Sequence, residues 1–142
     1  MMVAIANQFH SATVFLFHKI AEPRVIRIVH FAIYTGMFVA GFGTITEIPP
    51  NLEDATGRTA VYMIGIFLMI GAFTAGIAVL PGVWWLERAG LLALIAGILM
   101  YIVTLLAADA SLMALAVSVT FILRFSLRWV EIRKFQLAPR KD

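Results

Sequence analysis

Apolar positions along the chain fall into four long runs separated by short polar clusters. About 20 apolar residues, at 1.5 Å of rise each, cross the roughly 30 Å of hydrocarbon in a bilayer. The runs occupy about 28–46, 59–80, 89–108 and 110–129. The third carries no charge from Ala89 to Ala108. The fourth is less regular, because only the stretch Ala110 to Leu123 precedes Arg124, and it must continue to about Trp129 to span. Arg124 is then expected near the interface, its stem snorkelling toward headgroups. The pattern predicts an all-α integral membrane protein, an antiparallel four-helix transmembrane bundle in a single domain over 1–142.

A different periodicity precedes the first run. Drawn as a helix over about 2–22, Met2, Ile5, Phe9, Ala12, Leu16 and Ile20 share one face, and Asn7, Ser11, His18 and Glu22 share another. That pattern is expected of an amphipathic helix lying in the membrane interface, with a half-inserted hairpin as the competing reading. Pro23 would then separate it from the first span. No cation precedes the segment and polar residues interrupt it, so it is expected to stay rather than act as a cleaved signal.

Composition narrows the class further. The chain is 62% hydrophobic and 13% charged, with no cysteine and a mean hydropathy of +0.96; a soluble domain has roughly 45–50% apolar and about 25% charged residues. A cytosolic enzyme, a disordered tail and a secreted disulfide scaffold are excluded. Ten of the eleven basic residues fall on one side of the predicted spans. The other side holds Glu47, Glu53, Asp54, Asp109 and only Arg58. By the positive-inside rule both termini are expected in the cytoplasm. The basicity reads as topology and attraction to anionic headgroups, not as nucleic-acid binding.

Helices in lipid approach closely through small residues. Such stripes occur in every run: Gly36, Ala40 and Gly43; Gly65, Ala72 and Gly76; Gly90, Ala93, Gly97 and Thr104; Ala110, Ala114 and Ser118. The candidate helix-packing residues are Gly36, Ala40, Gly43, Gly65, Gly76, Gly97 and Ala114. A leucine at Gly97 is expected to block assembly.

Candidate chemistry is sparse. No carboxylate falls deep in a predicted span, which disfavours a small proton-coupled transporter. His30 sits at the end of the first span without a second histidine at matching depth for haem, and reads as an interfacial polar anchor. No zinc set, nucleophile and base, or phosphate loop is visible, so neither a catalytic site nor a cofactor is expected. The most distinctive run is Leu80-Pro81-Gly82-Val83-Trp84-Trp85-Leu86-Glu87-Arg88-Ala89-Gly90. It reads as an interfacial turn: Trp84 and Trp85 at the interface, Arg88 on headgroups, and Glu87 near the positive end of the third helix. Neutralising Glu87 is expected to leave insertion intact. On the far side, Pro49-Pro50 with Glu53 and Asp54 reads as a stiff acidic loop. Arg124, Arg128, Arg133 and Lys134 lead into a basic tail over 130–142, expected to meet lipid headgroups, and glutamate at Arg124 and Arg128 is expected to disturb the fourth span.

Through Arg27-Ile28-Val29-His30, Tyr34, Pro49-Pro50, and the Leu80–Gly90 run with Gly97 and Tyr101, residues 24–108 resemble small four-span membrane proteins of actinobacterial phages. These belong to the neighbourhood of the lysis genes and are described as holin-like. The resemblance implies a host-membrane protein that helps an endolysin by permeabilising or depolarising the membrane. The alternative is a structural accessory subunit of a large bacterial membrane complex. Expected partners are the lipid bilayer and either further copies of the chain or other membrane proteins.

Overall fold

The structure, a computed structural model, describes residues 24–137. The interfacial helix expected at about 2–22 and the last five residues of the basic tail lie outside the described residues. Those described are helical, without a strand. They form α1 (Arg24–Thr46), α2 (Pro50–Thr56), α3 (Arg58–Val79), α4 (Trp84–Ala107) and α5 (Leu112–Leu137). All but α2 are long and apolar enough to cross a membrane.

The four runs thus become four helices, with three changes at their ends and one addition; the first change begins α1 at Arg24 rather than at about 28. The acidic connector is not an irregular loop. Pro49 is extended and Pro50 opens α2, where a missing N–H costs no hydrogen bond. The Gly57 amide then closes the helix on the Glu53 carbonyl. The second change moves the start of α4 from Ala89 to Trp84. Charge at Glu87 and Arg88 does not break a helix, and the turn is finished sooner, at Leu80–Val83. There the amides of Gly82 and Val83 both donate to the Ala78 carbonyl, at 3.0 and 2.9 Å, with Gly82 at φ 80. Trp84, Trp85, Glu87 and Arg88 are therefore not a turn but the first residues of a helix. At the other end α5 continues beyond Trp129 to Leu137.

α3 is central, packing along both α1 and α4, while α5 leans on α4 more lightly. Small residues set the closest approaches. A Cβ on Gly41 would lie 2.9 Å from the Gly65 carbonyl oxygen, and one on Gly65 would meet Gly41 and Ile45. Further along the same pair, Gly76 touches Tyr34 and Phe31. Between α3 and α4, a Cβ on Gly71 would sit 2.7 Å from the Leu94 amide nitrogen, and one on Gly90 2.5 Å from that of Ala75. Leu68 and Phe67 close on Gly97 at 3.2 Å. Around these contacts Leu68, Ala72, Leu91, Leu94 and Ile98 form a core that Tyr34, Phe125 and Ile132 extend toward the basic end.

The small-residue stripes separate accordingly. Gly65, Gly76 and Gly97 lie against neighbouring helices inside the chain. Gly36 does not: it is exposed, and nothing lies within 4 Å of where its Cβ would be. Gly43 likewise meets nothing, and Ala40 is exposed. The inward face of α1 instead carries His30, Tyr34, Met37 and Gly41, spaced at three to four residues as one side of a helix requires. The stripe read from the sequence lies on another side of the same helix. Ala114 is half-buried, and its carbonyl accepts the Ser118 hydroxyl.

Candidate functional site: a buried ion-pair cluster

Moving the start of α4 forward carries Glu87 into the helix, about 5 Å or one turn inward of Trp84. Its side chain points into the bundle and is 2% exposed. Arg128, from α5, comes to meet it and is 7% exposed. Nε donates to Oε1 at 2.8 Å and Nη2 to Oε2 at 3.2 Å, the two-pronged geometry that guanidinium and carboxylate share. The Tyr34 hydroxyl, from α1, donates a third bond to Oε1 at 3.1 Å. Arg128 Nη1 also reaches Glu131 Oε2 at 3.4 Å, one turn further along α5. A single carboxylate thus ties three helices together.

A second link runs beside it. The His30 ring lies with Nδ1 2.7 Å from the Ile26 carbonyl oxygen and Nε2 2.8 Å from Arg124 Nη2. Carbonyls only accept and guanidinium only donates, so both bonds form together in the neutral tautomer with its proton on Nδ1. Between the two links, Tyr34 stacks on Phe125 with ring centroids 6.2 Å apart. Arg88 lies over the Trp129 ring at 4.1 Å, which adds a cation–π contact between α4 and α5.

These contacts correct the reading of the basic residues. Arg128 does not meet lipid headgroups, because its charge is held by Glu87 inside the bundle. Arg124 is half-buried and bonds His30 rather than snorkelling outward. Arg133 is exposed, in keeping with a headgroup contact, while the Lys134 side chain lies outside the described residues. Trp84 and Trp85 are exposed. Sequence reasoning passed over Tyr34 as a partner and treated Glu87 as a helix-terminal charge. The signal was a pair of matched spacings: His30 and Tyr34 on one turn of α1, Arg124 and Arg128 on one turn of α5.

Arg27 locks the adjoining turn. Its Nη1 donates to the Val79 carbonyl at 3.0 Å, an acceptor left free because the Gly82 and Val83 amides both go to Ala78. The guanidinium lies where a Cβ on Gly82 would be. Alanine at Gly82 would have to adopt a left-handed backbone and displace Arg27. Gly82→Ala is expected to lower stability by about 2 kcal/mol, since the left-handed conformation alone costs roughly 1–2 kcal/mol; denaturant unfolding in mild detergent measures this.

Among the described residues no group of three or more His, Asp or Glu could hold a metal ion. Four long apolar helices around a buried charge cluster define an all-helical, multi-pass type of membrane protein. No family model matches the chain, and neither a curated protein nor a solved structure matches it.

Proposed function

We propose that the chain is a non-catalytic protein of the bacterial plasma membrane, an antiparallel four-helix bundle with both termini in the cytoplasm. It acts by lateral assembly of intact bundles that perturb the membrane, in the manner of a holin-like lysis protein. The observation that carries this reading is an interior with no continuous polar path. Leu68, Ala72, Leu91 and Leu94 fill the middle of the bundle, and Glu87 and Arg128 neutralise each other at one end. A single chain so packed, its lateral cavity lined mostly by apolar side chains, offers no wide aqueous path, so permeability would have to arise between chains. The outward side of α1 suits such contacts, because nothing lies within 4 Å of where a Cβ on Gly36 or Gly43 would be, Ala40 between them is exposed, and small residues permit close approach in lipid.

One observation favours the accessory-subunit reading instead. The buried pair fixes one arrangement of α1, α4 and α5, as a packing subunit of a larger complex needs. Inducible expression in a bacterial host, with membrane potential and turbidity followed with and without a co-expressed endolysin, separates the two. Depolarisation, with lysis only when the endolysin is present, is the expected result. Harmless accumulation with the potential intact would contradict it and favour the subunit. Gly36→Leu is expected to abolish the depolarisation while leaving the isolated bundle as stable as the parent or slightly more so, since a Cβ there meets nothing and leucine is a better helix former than glycine.

A further inference from the structure

Away from the ion-pair cluster the bundle is not filled. A cavity of about 230 Å³ lies among α1, α3, α4 and α5, beneath the connector that carries α2. Its floor is apolar: Ile64 and Leu68 from α3 and Ile98 from α4. Three hydroxyl-bearing residues border it, Thr44, Ser118 and Tyr101, and the first two already donate to their own helices. Thr44 donates to the Ala40 carbonyl and Ser118 to that of Ala114, each at 2.8 Å. A water needs two to four polar partners to stay in a protein cavity, whereas an apolar cavity of only about 150 Å³ accepts benzene. With Tyr101 the one bordering hydroxyl not donating to its own helix and the rest of the lining mostly apolar, the space suits hydrocarbon better than a cluster of water.

Its opening can be placed. Among the helical lining residues, Ala40 of α1 and Val117 of α5 are exposed, whereas Ile64, Leu68 and Ile98 are buried. α1 and α5 meet through His30 with Arg124 and Tyr34 with Phe125, all nearer the basic end. The gap thus faces sideways, at the depth of the apolar spans, where lipid tails are the solvent. We propose that the cavity is a binding site for one lipid acyl chain, entering between α1 and α5. The proposal rests on membrane placement of the helices and not on the lysis reading.

The test uses the full chain reconstituted in vesicles of phosphatidylcholine and phosphatidylglycerol containing a phospholipid with a diazirine near the end of one acyl chain. After irradiation, adducts are mapped by peptide mass spectrometry. Adducts are expected on Ile64, Leu68 or Ile98, which are 1, 6 and 3% exposed and reachable by lipid only through the cavity. They should be lost in Ala40→Phe, and also in Ser118→Leu, while adducts on the exposed Val103 and Leu106 persist. Adducts confined to exposed positions in the unaltered chain would overturn the proposal. Cavity adducts that vanish as protein density rises would give the space to a second copy and overturn it equally. Unlabelled Val103 and Leu106 would show that the membrane placement itself fails.

Discussion

Glu87→Leu is expected to loosen the bundle more than any other single polar change, lowering resistance to unfolding by about 3–5 kcal/mol, the range for breaking a buried pair from one side. The reason is what remains. Arg128 keeps its charge at any accessible pH, and it sits 7% exposed with only Glu131 at 3.4 Å to replace two lost bonds. The Tyr34 hydroxyl also loses its acceptor. Tyr34→Phe alone should cost much less, about 1 kcal/mol, because Glu87 retains both bonds from Arg128. Replacing the whole set together, with leucine at Glu87, methionine at Arg128 and phenylalanine at Tyr34, should recover most of the loss, as apolar replacement of buried pairs often does. The measurement is helicity against denaturing-detergent fraction, starting from mild detergent. Membrane insertion of Glu87→Leu, read by a reporter at the C-terminus, should be unaffected, since α4 only becomes more apolar. A variant as stable as the parent would mean that the pair holds nothing together.

The second large effect is steric. Gly90→Ala places a Cβ 2.5 Å from the Ala75 amide nitrogen and 2.7 Å from the Gly71 carbonyl oxygen. Those are backbone atoms inside two helices, and no rotamer change relieves them; α3 and α4 have to separate along the face where the core is thickest. Overpacking costs typically about 1–3 kcal/mol, and this case belongs at or above the top of that range. Gly97→Ala meets only the side chains of Leu68 and Phe67, at 3.2 Å, which can yield by a few tenths of an ångström; its effect should be small. Gly36→Ala meets nothing, and alanine is the better helix former by roughly 0.5–1 kcal/mol, so the bundle should hold or gain slightly. Unfolding of the three variants side by side gives the order. If Gly90→Ala and Gly36→Ala unfolded alike, the close approach of α3 and α4 would be wrong.

These two sites mark the limit of what the chain discloses as a string. Run length and the absence of charge located four helices, because crossing hydrocarbon imposes a one-dimensional requirement. The partner of each face is a three-dimensional fact. Gly36, Ala40 and Gly43 have the same spacing as a packing stripe, yet the face that packs on α1 starts from His30 and Tyr34 and ends at Gly41. Nothing in the spacing tells an inward stripe from an outward one. Gly71 was overlooked for the same reason, since its importance comes from Gly90 on the next helix.

The charge cluster was hidden by a boundary. With α4 begun at Ala89, Glu87 belongs to a loop and its carboxylate needs no partner. Begun at Trp84, the same residue faces inward and must find one, because an unpaired charge inside an apolar bundle is too costly. Arg128 was assigned to headgroups because basic residues at the end of a span commonly go there. Both differences follow from one boundary, which the turn at Gly82 sets, since a left-handed glycine followed by a closing amide ends a connection at once. The lateral cavity had no sequence signal, being an absence shared by four helices.

The central claim is that Glu87 and Arg128 hold the bundle through each other. A double-mutant cycle tests it most directly: unfolding of the parent chain, Glu87→Leu, Arg128→Met and the double variant under identical detergent conditions. The predicted coupling exceeds the cost of either single change, about 3–5 kcal/mol for breaking a buried pair from one side, so the double variant is more stable than either single one. A coupling below about 0.5 kcal/mol, the additivity expected of distant sites, would contradict the account.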